Sequence, residues 1–361
     1  MAWTPPPPRA GHPYFMYESI FAQPGAIRLV VRNNRDTLEL AASRLRTMER
    51  VLLLGIGTSW HAALVGEVLF RKVGGLGYRA RALHSFEFKN YCPDPDPTTG
   101  VVVLTHRGTK RFSLEALEKA KGGGGVGVVI TGKGSGEGTT AADHVLTTVD
   151  QERSGAHTVS YTTALALLVA LAGAIGGHEA EARELDGVPD EVAMLLGQES
   201  WDELAARFKD RRRYYFVGGG PNVATAYEAA LKMSETNHSQ AQGFQVEQFL
   251  HGPWIGLESE DLVVVIAPPG PSYERCLTVA RVAREVGAPV LALVQEGDKE
   301  IAPLSAYVIE LPGVSEWFTP ILSVVPLQLF AYFLAVHRGI NPDTLRRDQG
   351  VYTRAHAAFN L

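Results

Sequence analysis

Cysteine is nearly missing from this 361-residue chain: only Cys92 and Cys276 occur, in unlike surroundings and outside any Cys-x-x-Cys pair. That excludes a disulfide framework and a cysteine-ligated zinc site, and it suits a reducing, cytoplasmic setting. Positive charge is not in excess. Lys plus Arg number 34 against 39 Asp plus Glu, a net charge of −5. General binding to nucleic acid or to a membrane surface is therefore not expected, while a small local anion site remains compatible with the charge. The stretch Met1 to Pro13 has no apolar segment of the kind a secretory leader needs, and with Pro5 to Pro8 it reads as a loose arm. Long unbroken apolar runs are also lacking. The longest tract, Ile321 to Val336, is interrupted by Ser323, Pro326 and Gln328 and falls short of the roughly 18 to 20 residues that span a bilayer, so a buried helix is expected there. The eleven histidines show no metal-ligand spacing, and neither a metal nor another cofactor is expected.

What is present is the composition of a compact globular protein: 45% apolar residues, 20% charged residues and 37 glycines, with chain enough for two to three domains at roughly 150 residues each. Val51 to Leu54 and Val101 to Leu104 are continuous apolar runs of strand length, each followed by a Gly-containing loop and a helical pattern, as strands buried on both faces of a parallel sheet would be. A second set begins at Tyr214 to Val217 and Val263 to Ile266. Gly55 and Gly57 fall 163 positions before Gly218 and Gly220, and Gly108 falls 162 before Gly270, which marks an internal repeat. Further strands are expected at Val126 to Ile130 and Val290 to Val294, preceded by helices at Leu114 to Ala120 and Leu277 to Val286. The alternation is that of an α/β protein. The acidic, Gly-rich stretch Gly176 to Glu199 reads as the boundary between halves. The segments are 1–30 as arm and pre-domain segment, 31–195 as first domain, 196–340 as second domain and 341–361 as tail. The apolar helices Thr162 to Ile175 and Ile321 to Val336 offer more greasy surface than one chain easily buries, which points to a dimer.

Four stretches could carry chemistry. Gly55-Ile56-Gly57-Thr58-Ser59 joins a strand to a helix; its free N–H groups and the two hydroxyls can hold an anion, or the loop is simply a tight turn with Ser59 as the helix cap. Thr105-His106-Arg107-Gly108-Thr109-Lys110, the next such loop, adds three side chains that can be cationic and so points to phosphate. The matching loop of the second half, Ala267 to Ser272, carries three prolines and has lost those charges, so only one half is expected to hold phosphate. Glu228, Lys232 and Glu235 share one face of a helix, as a solvated ladder of charges or as a site. Glu247 and His251-Gly252-Pro253 follow.

Taken together, Gly57-Thr58-Ser59 with His61-Ala62-Ala63, the phosphate loop, Glu228-Ala-Ala-Leu-Lys232-x-x-Glu235 and Glu247-x-x-x-His251-Gly252-Pro253 resemble the sugar isomerase (SIS) family. The likeness is greatest to isomerase domains of the glucosamine-6-phosphate synthase type. It extends from Met16 to Ile27, through Glu87, to Asn341-Pro342-Asp343 and Asp348-Gln349, nearly the whole chain. The resemblance implies two tandem SIS domains, each a five-stranded parallel sheet flanked by helices, in a homodimer whose site borrows a histidine from the partner chain. It implies that Ser59, Thr105, Gly108 and Thr109 contact a sugar phosphate, within a binding loop that also takes in Gly57, Thr58, His106, Arg107 and Lys110. Glu235 would move the proton between C1 and C2, His251 would assist ring opening, and Lys232 and Glu228 would line the pocket. A carboxylate for the carbon acid and a second group for protons on oxygen is what aldose–ketose interconversion needs.

The departures are as informative. Two hydroxyls of the synthase loop are replaced by Arg107 and Lys110, so the ligand carries more negative charge or sits differently. The tail lysine of the synthase falls near Ala355, with Arg354 and His356 the nearest polar side chains; of these only His356 could stand in for an amine, since arginine stays protonated. A third loop, Glu152 to Thr158, differs and brings His157 to the substrate side. No glutaminase half is seen ahead of the isomerase region, so the chain is not expected to draw ammonia from glutamine by itself. The expected activity is isomerisation of an amino sugar phosphate coupled to deamination or to amination with free ammonia. A phosphorylated-fructosamine deglycase and a non-catalytic sugar-phosphate-binding regulatory module are the alternatives.

Overall fold

The computed structural model describes residues 7–358 except His178. Among these residues ten strands form two sheets. The first contains β1 (Arg50–Gly55), β2 (Ala80–His84), β3 (Thr99–Leu104), β4 (Val126–Lys133) and β5 (His144–Asp150) in the order β2-β1-β3-β4-β5. The second contains β6 (Tyr214–Gly218), β7 (Ala241–Gln245), β8 (Leu262–Ala267), β9 (Val290–Gln295) and β10 (Tyr307–Leu311) in the order β10-β9-β8-β6-β7. Read from β7, the second order repeats the first strand for strand, and every pairing is parallel. The fold is thus α/β with two tandem five-stranded parallel sheets flanked by helices. All residues of β3 and β8 are buried, as strands covered on both faces must be.

Fourteen helices of the described residues surround the sheets: α1 (Phe15–Phe21), α2 (Gln23–Asn33), α3 (Arg35–Arg46), α4 (Thr58–Lys72), α5 (Ser85–Tyr91), α6 (Arg111–Gly122), α7 (Val159–Gly176), α8 (Glu179–Leu196), α9 (Trp201–Phe208), α10 (Asn222–Asn237), α11 (Val246–Leu250), α12 (Tyr273–Val286), α13 (Thr319–His337) and α14 (Gly350–Ala357). Between the sheets α4 packs on α7 and on α10, and α10 packs on α13. One cluster of buried side chains runs through both halves, from Leu53 and Leu168 to Phe216 and Phe330.

Three expectations change. The two apolar helices do not leave a greasy face: α7 and the stretch Glu316–His337 are 83% and 89% buried within this one chain. Their composition therefore gives no argument for a dimer. The 19-residue α13 is as long as a membrane-crossing helix, so length does not decide its role; its burial does. The stretch Gly176 to Glu199, read above as the boundary between halves, is mostly helix, because Leu185, Val188, Val192 and Leu195 recur at helical spacing and are buried. Finally, Arg9 to Pro13 are not loose. The Arg9 guanidinium pairs with Glu18 and lies 4.2 Å from the centre of the Phe15 ring, Asn341 donates to the Arg9 carbonyl, and His12 bonds the Tyr332 hydroxyl. Pro5 and Pro6 lie outside the described residues.

The glycine pattern has a steric cause. A Cβ on Gly55 would lie 2.4 Å from the Ser59 carbonyl carbon, and one on Gly218 would lie 2.5 Å from the Asn222 carbonyl oxygen, so each helix start presses onto the end of its strand. Gly57 and Gly220 then turn the chain at φ of 58° and 54°, a conformation that favours glycine.

Candidate functional site

In the first sheet the chain leaves β1 for β2 on one side and β3 on the other, and the crevice beyond the carboxyl ends of such strands is where α/β folds bind ligands. There α4 begins: Gly57 is its cap residue, and Ser59 lies inside its first turn. Thr58, Ser59, Thr105, His106, His157 and Tyr161 line one cavity at this point. Thr105 is 3% and Tyr161 2% exposed, yet among the described residues neither hydroxyl has a partner, nor do His106 Nδ1 and His157 Nε2. Buried polar atoms without partners cost about 1–3 kcal/mol each, so four around one cavity mark a place built to meet a polar ligand.

Helix α10 from the second half brings Glu228 and Lys232 to Thr58, one of the residues lining this cavity, with Glu235 bonded to Lys232. They are no solvated ladder. Glu228 and Lys232 are fully buried, Lys232 Nζ lies 3.2 Å from Glu228 and 2.5 Å from Glu235, and it also donates to the Thr58 hydroxyl at 3.3 Å. Thr58 in turn donates to Glu228 at 3.1 Å, and His61 Nδ1 lies 2.7 Å from the other Glu228 oxygen. Burial works against the charge of Glu228, but Lys232 and His61 outweigh it and hold the carboxyl below its usual range. Burial likewise opposes the Lys232 charge, and its two carboxylate neighbours push its pKa upward instead. Glu235 differs: burial dominates over the attraction of Lys232, and its pKa is raised although a quarter of the side chain is exposed. A carboxylate poised for proton transfer thus stands beside a permanent cation.

The loop expected to hold phosphate, Thr105 to Lys110, splits in two. Thr105 and His106 line the cavity, Gly108 (φ 62°) is wedged against Ser135 and Thr139, and Thr109 is exposed. Arg107 and Lys110 are partly buried; burial, with the nearby Arg347, lowers the pKa of both, and Arg107 adds to the effect at Lys110. Arg347 comes from the tail, where Gly155 donates to the Asp343 carbonyl at 2.9 Å and Leu345 and Arg346 adopt positive φ. His356 lies in α14 with Nε2 2.9 Å from the Leu345 carbonyl. In the second half the corresponding loop holds no cation: Glu316 lies against Gly220 and Gly270, where a Cβ would approach its carboxylate to 3.0 and 2.9 Å. An anion would meet that carboxylate.

His251 is not drawn into this network. Its side chain is 76% exposed and pairs with Glu247 at 3.3 Å. Sequence reasoning also missed contributors: His61, which the His-Ala-Ala stretch signalled, Tyr161, hidden in an apolar run, and Arg347, whose tertiary position has no local signal. Among the described residues no cluster of three or more His, Cys, Asp or Glu side chains is arranged to hold a metal.

A family model described as SIS domain matches residues 44–174 and 207–338. The chain is 33% identical over 351 residues to glutamine–fructose-6-phosphate aminotransferase (isomerizing) of Thermococcus kodakarensis, covering 94% of this chain and 58% of that protein. It is 32% identical over 355 residues to a protein of the same name from Thermus thermophilus, with the same coverage. The chain therefore spans 58% of the length of these curated relatives. In structure it is similar to the C-terminal domain of glucosamine-fructose-6-phosphate aminotransferase from Francisella tularensis (TM-score 0.82, 20% identity, 92% of this chain and 98% of that one). It is also similar to tagatose-6-phosphate ketose/aldose isomerase from Escherichia coli (TM-score 0.79, 22% identity, 95% and 97%). At such identities the structural likeness concerns the fold.

Proposed function

Since the chain belongs to the SIS domain family, we propose that it is a sugar-phosphate aldose–ketose isomerase. Its substrate is an amino sugar phosphate of the glucosamine-6-phosphate/fructose-6-phosphate type, with isomerisation coupled to deamination or to amination by free ammonia. The observation that carries this reading is the buried Lys232 held between Glu228 and Glu235 and opening through Thr58 onto a cavity of unpartnered polar atoms. The names of the curated relatives support the same class of substrate.

In this reading Ser59, Thr105 and the start of α4 receive the phosphate, with Arg107, Lys110 and Arg347 supplying positive potential. Glu235 takes the proton from C2 of the open-chain aldose and returns it at C1; its raised pKa suits a base that must also act as acid. Lys232 offsets the negative charge that develops on oxygen during that transfer. In deamination, water replaces the amino group at C2 and ammonia leaves, so that glucosamine 6-phosphate plus water gives fructose 6-phosphate plus ammonia. His251 opens the sugar ring from a second copy of the chain, which its exposure permits.

Incubating the purified protein with hexose and hexosamine 6-phosphates, and measuring ketose and ammonia, tests the proposal. Turnover of glucosamine 6-phosphate or fructose 6-phosphate supports it. Amine release from a phosphorylated fructosamine alone would favour the deglycase, and tight binding without turnover would favour a regulatory module.

A further inference from the structure

The loop between β5 and α7 holds a histidine that the mechanism above leaves without a task. His157 packs edge-on against His106, ring centres 4.8 Å apart at 75°, and its Nε2 is enclosed without a partner among the described residues, on the wall of the cavity that Thr58 and Thr105 also line. His106 is oriented by the backbone, since Glu152 N–H donates to its Nε2 at 3.1 Å, which leaves its proton on Nδ1. The Glu152 carboxylate accepts from Thr158 and Ser160 N–H at 3.1 and 2.9 Å and from the Ser160 hydroxyl, and burial outweighs its pull on the His106 ring. Burial is the main reason that the His157 pKa lies well below its ordinary value, and His106, Lys232, Arg107 and Lys110 add to it.

We propose that His157, as a neutral imidazole, is a catalytic residue supplied within each chain that polarises the C1 carbonyl of the open-chain sugar and relays protons on its heteroatoms. The assignment rests on the isomerase reading. Removing the C2 proton by Glu235 sends an electron pair into a C1–C2 double bond and the carbonyl pair onto O1; O1 takes the Nε2 proton. The heteroatom on C2 then gives its proton back to Nε2, the double-bond electrons take the proton from Glu235 at C1, and no atom or electron is gained or lost. An imidazolium could not accept the returning proton, whereas a neutral ring serves as donor and acceptor in turn. His157 and Thr58 line the same cavity, and the Thr58 hydroxyl accepts from Lys232. The unpartnered Tyr161 hydroxyl beside it is placed to hold a sugar hydroxyl.

The test measures kcat, KM and solvent-deuterium exchange, at C2 of glucosamine 6-phosphate and at C1 of fructose 6-phosphate, for the full chain in wild type, His157→Ala and His157→Gln. Loss of one preorganised donor typically lowers kcat by about 10²–10³-fold. Such a loss is expected for His157→Ala with KM changed only a few-fold and with exchange falling in parallel, and a partial return is expected for His157→Gln, whose amide still donates. Activity of His157→Ala within about threefold of wild type would overturn the assignment while leaving the isomerase reading intact; no turnover by the wild type would overturn both. Should the variants not fold, nitrogen chemical shifts of the wild-type histidines decide: His157 is expected neutral from pH 6 to 8, and an imidazolium at pH 7 rules out the relay.

Discussion

His61 Nδ1 lies 2.7 Å from Glu228 Oε2, although the two residues are 167 positions apart in the chain and belong to helices of different halves. The first half contributes the start of α4 and the second half the ionisable triad, and this contact, with Thr58 and Lys232, locks one to the other. Neither half has a complete site alone.

Because Glu228 is buried between Lys232 and His61, Glu228→Leu leaves a buried ammonium facing one partner instead of two. A destabilisation of about 3–5 kcal/mol is expected for removing one member of a buried ion pair. Denaturant unfolding followed by circular dichroism measures it. A change below about 1 kcal/mol would mean that the triad is not a structural link.

Glu235→Gln keeps the shape of the side chain and removes its basicity. A loss of about 10²–10⁴ in kcat is expected, with binding of fructose 6-phosphate changed only a few-fold. The wild-type kcat/KM should also fall on acidification at a pH above the ordinary carboxylate range. The base works deprotonated, its pKa is raised by burial, and activity is therefore lost as pH drops through that elevated value.

The two halves differ at their first loops, with hydroxyls at Thr58 and Ser59 in one and the Glu316 carboxylate in the other. Calorimetry with fructose 6-phosphate should give one site per chain. Ser59→Ala and Thr109→Val should weaken it, Arg347→Ala should weaken it more steeply at low salt, where cation–anion attraction is least screened, and Ser272→Ala should leave it unchanged. Thr109 is the sharper case, since it is exposed rather than on the cavity wall. Two equivalent phosphates per chain would refute the asymmetry.

If His251 completes the site of a second copy, co-expressing His251→Ala with Glu235→Gln restores activity. Statistical mixing yields half mixed dimers, each with both defects in one site and the other site whole, so about a quarter of wild-type activity is expected. No recovery in isolated mixed dimers would mean that each chain uses its own histidine. His157→Ala paired with Glu235→Gln should show no such recovery, because both residues then serve the same chain's site.

The repeat was legible because parallel strands buried on both faces must be written as apolar runs, and because Gly55, Gly57 and their counterparts Gly218 and Gly220 are demanded by backbone contact rather than by preference. The Gly-Thr-Ser loop and the Glu228-Lys232-Glu235 spacing were legible for the same kind of local reason: adjacency along a turn or a helix face. Spacing could not say whether that face meets water. A three-and-four ladder of charges looks the same on the outside of a helix as it does between two domains, and only the packing of α10 on α4 buried it. The length of the apolar tract in α13 was likewise silent on whether lipid or protein covers it. Local sequence by itself thus determined the fold class and the two-fold repeat, since those follow from periodicity and steric demand within a few residues. Which of them meet was decided by tertiary structure. His61 with Glu228, His157 with His106 and Arg347 with Arg107 are pairings between distant segments, and their protonation depends on the burial and the neighbouring charges that folding alone supplies.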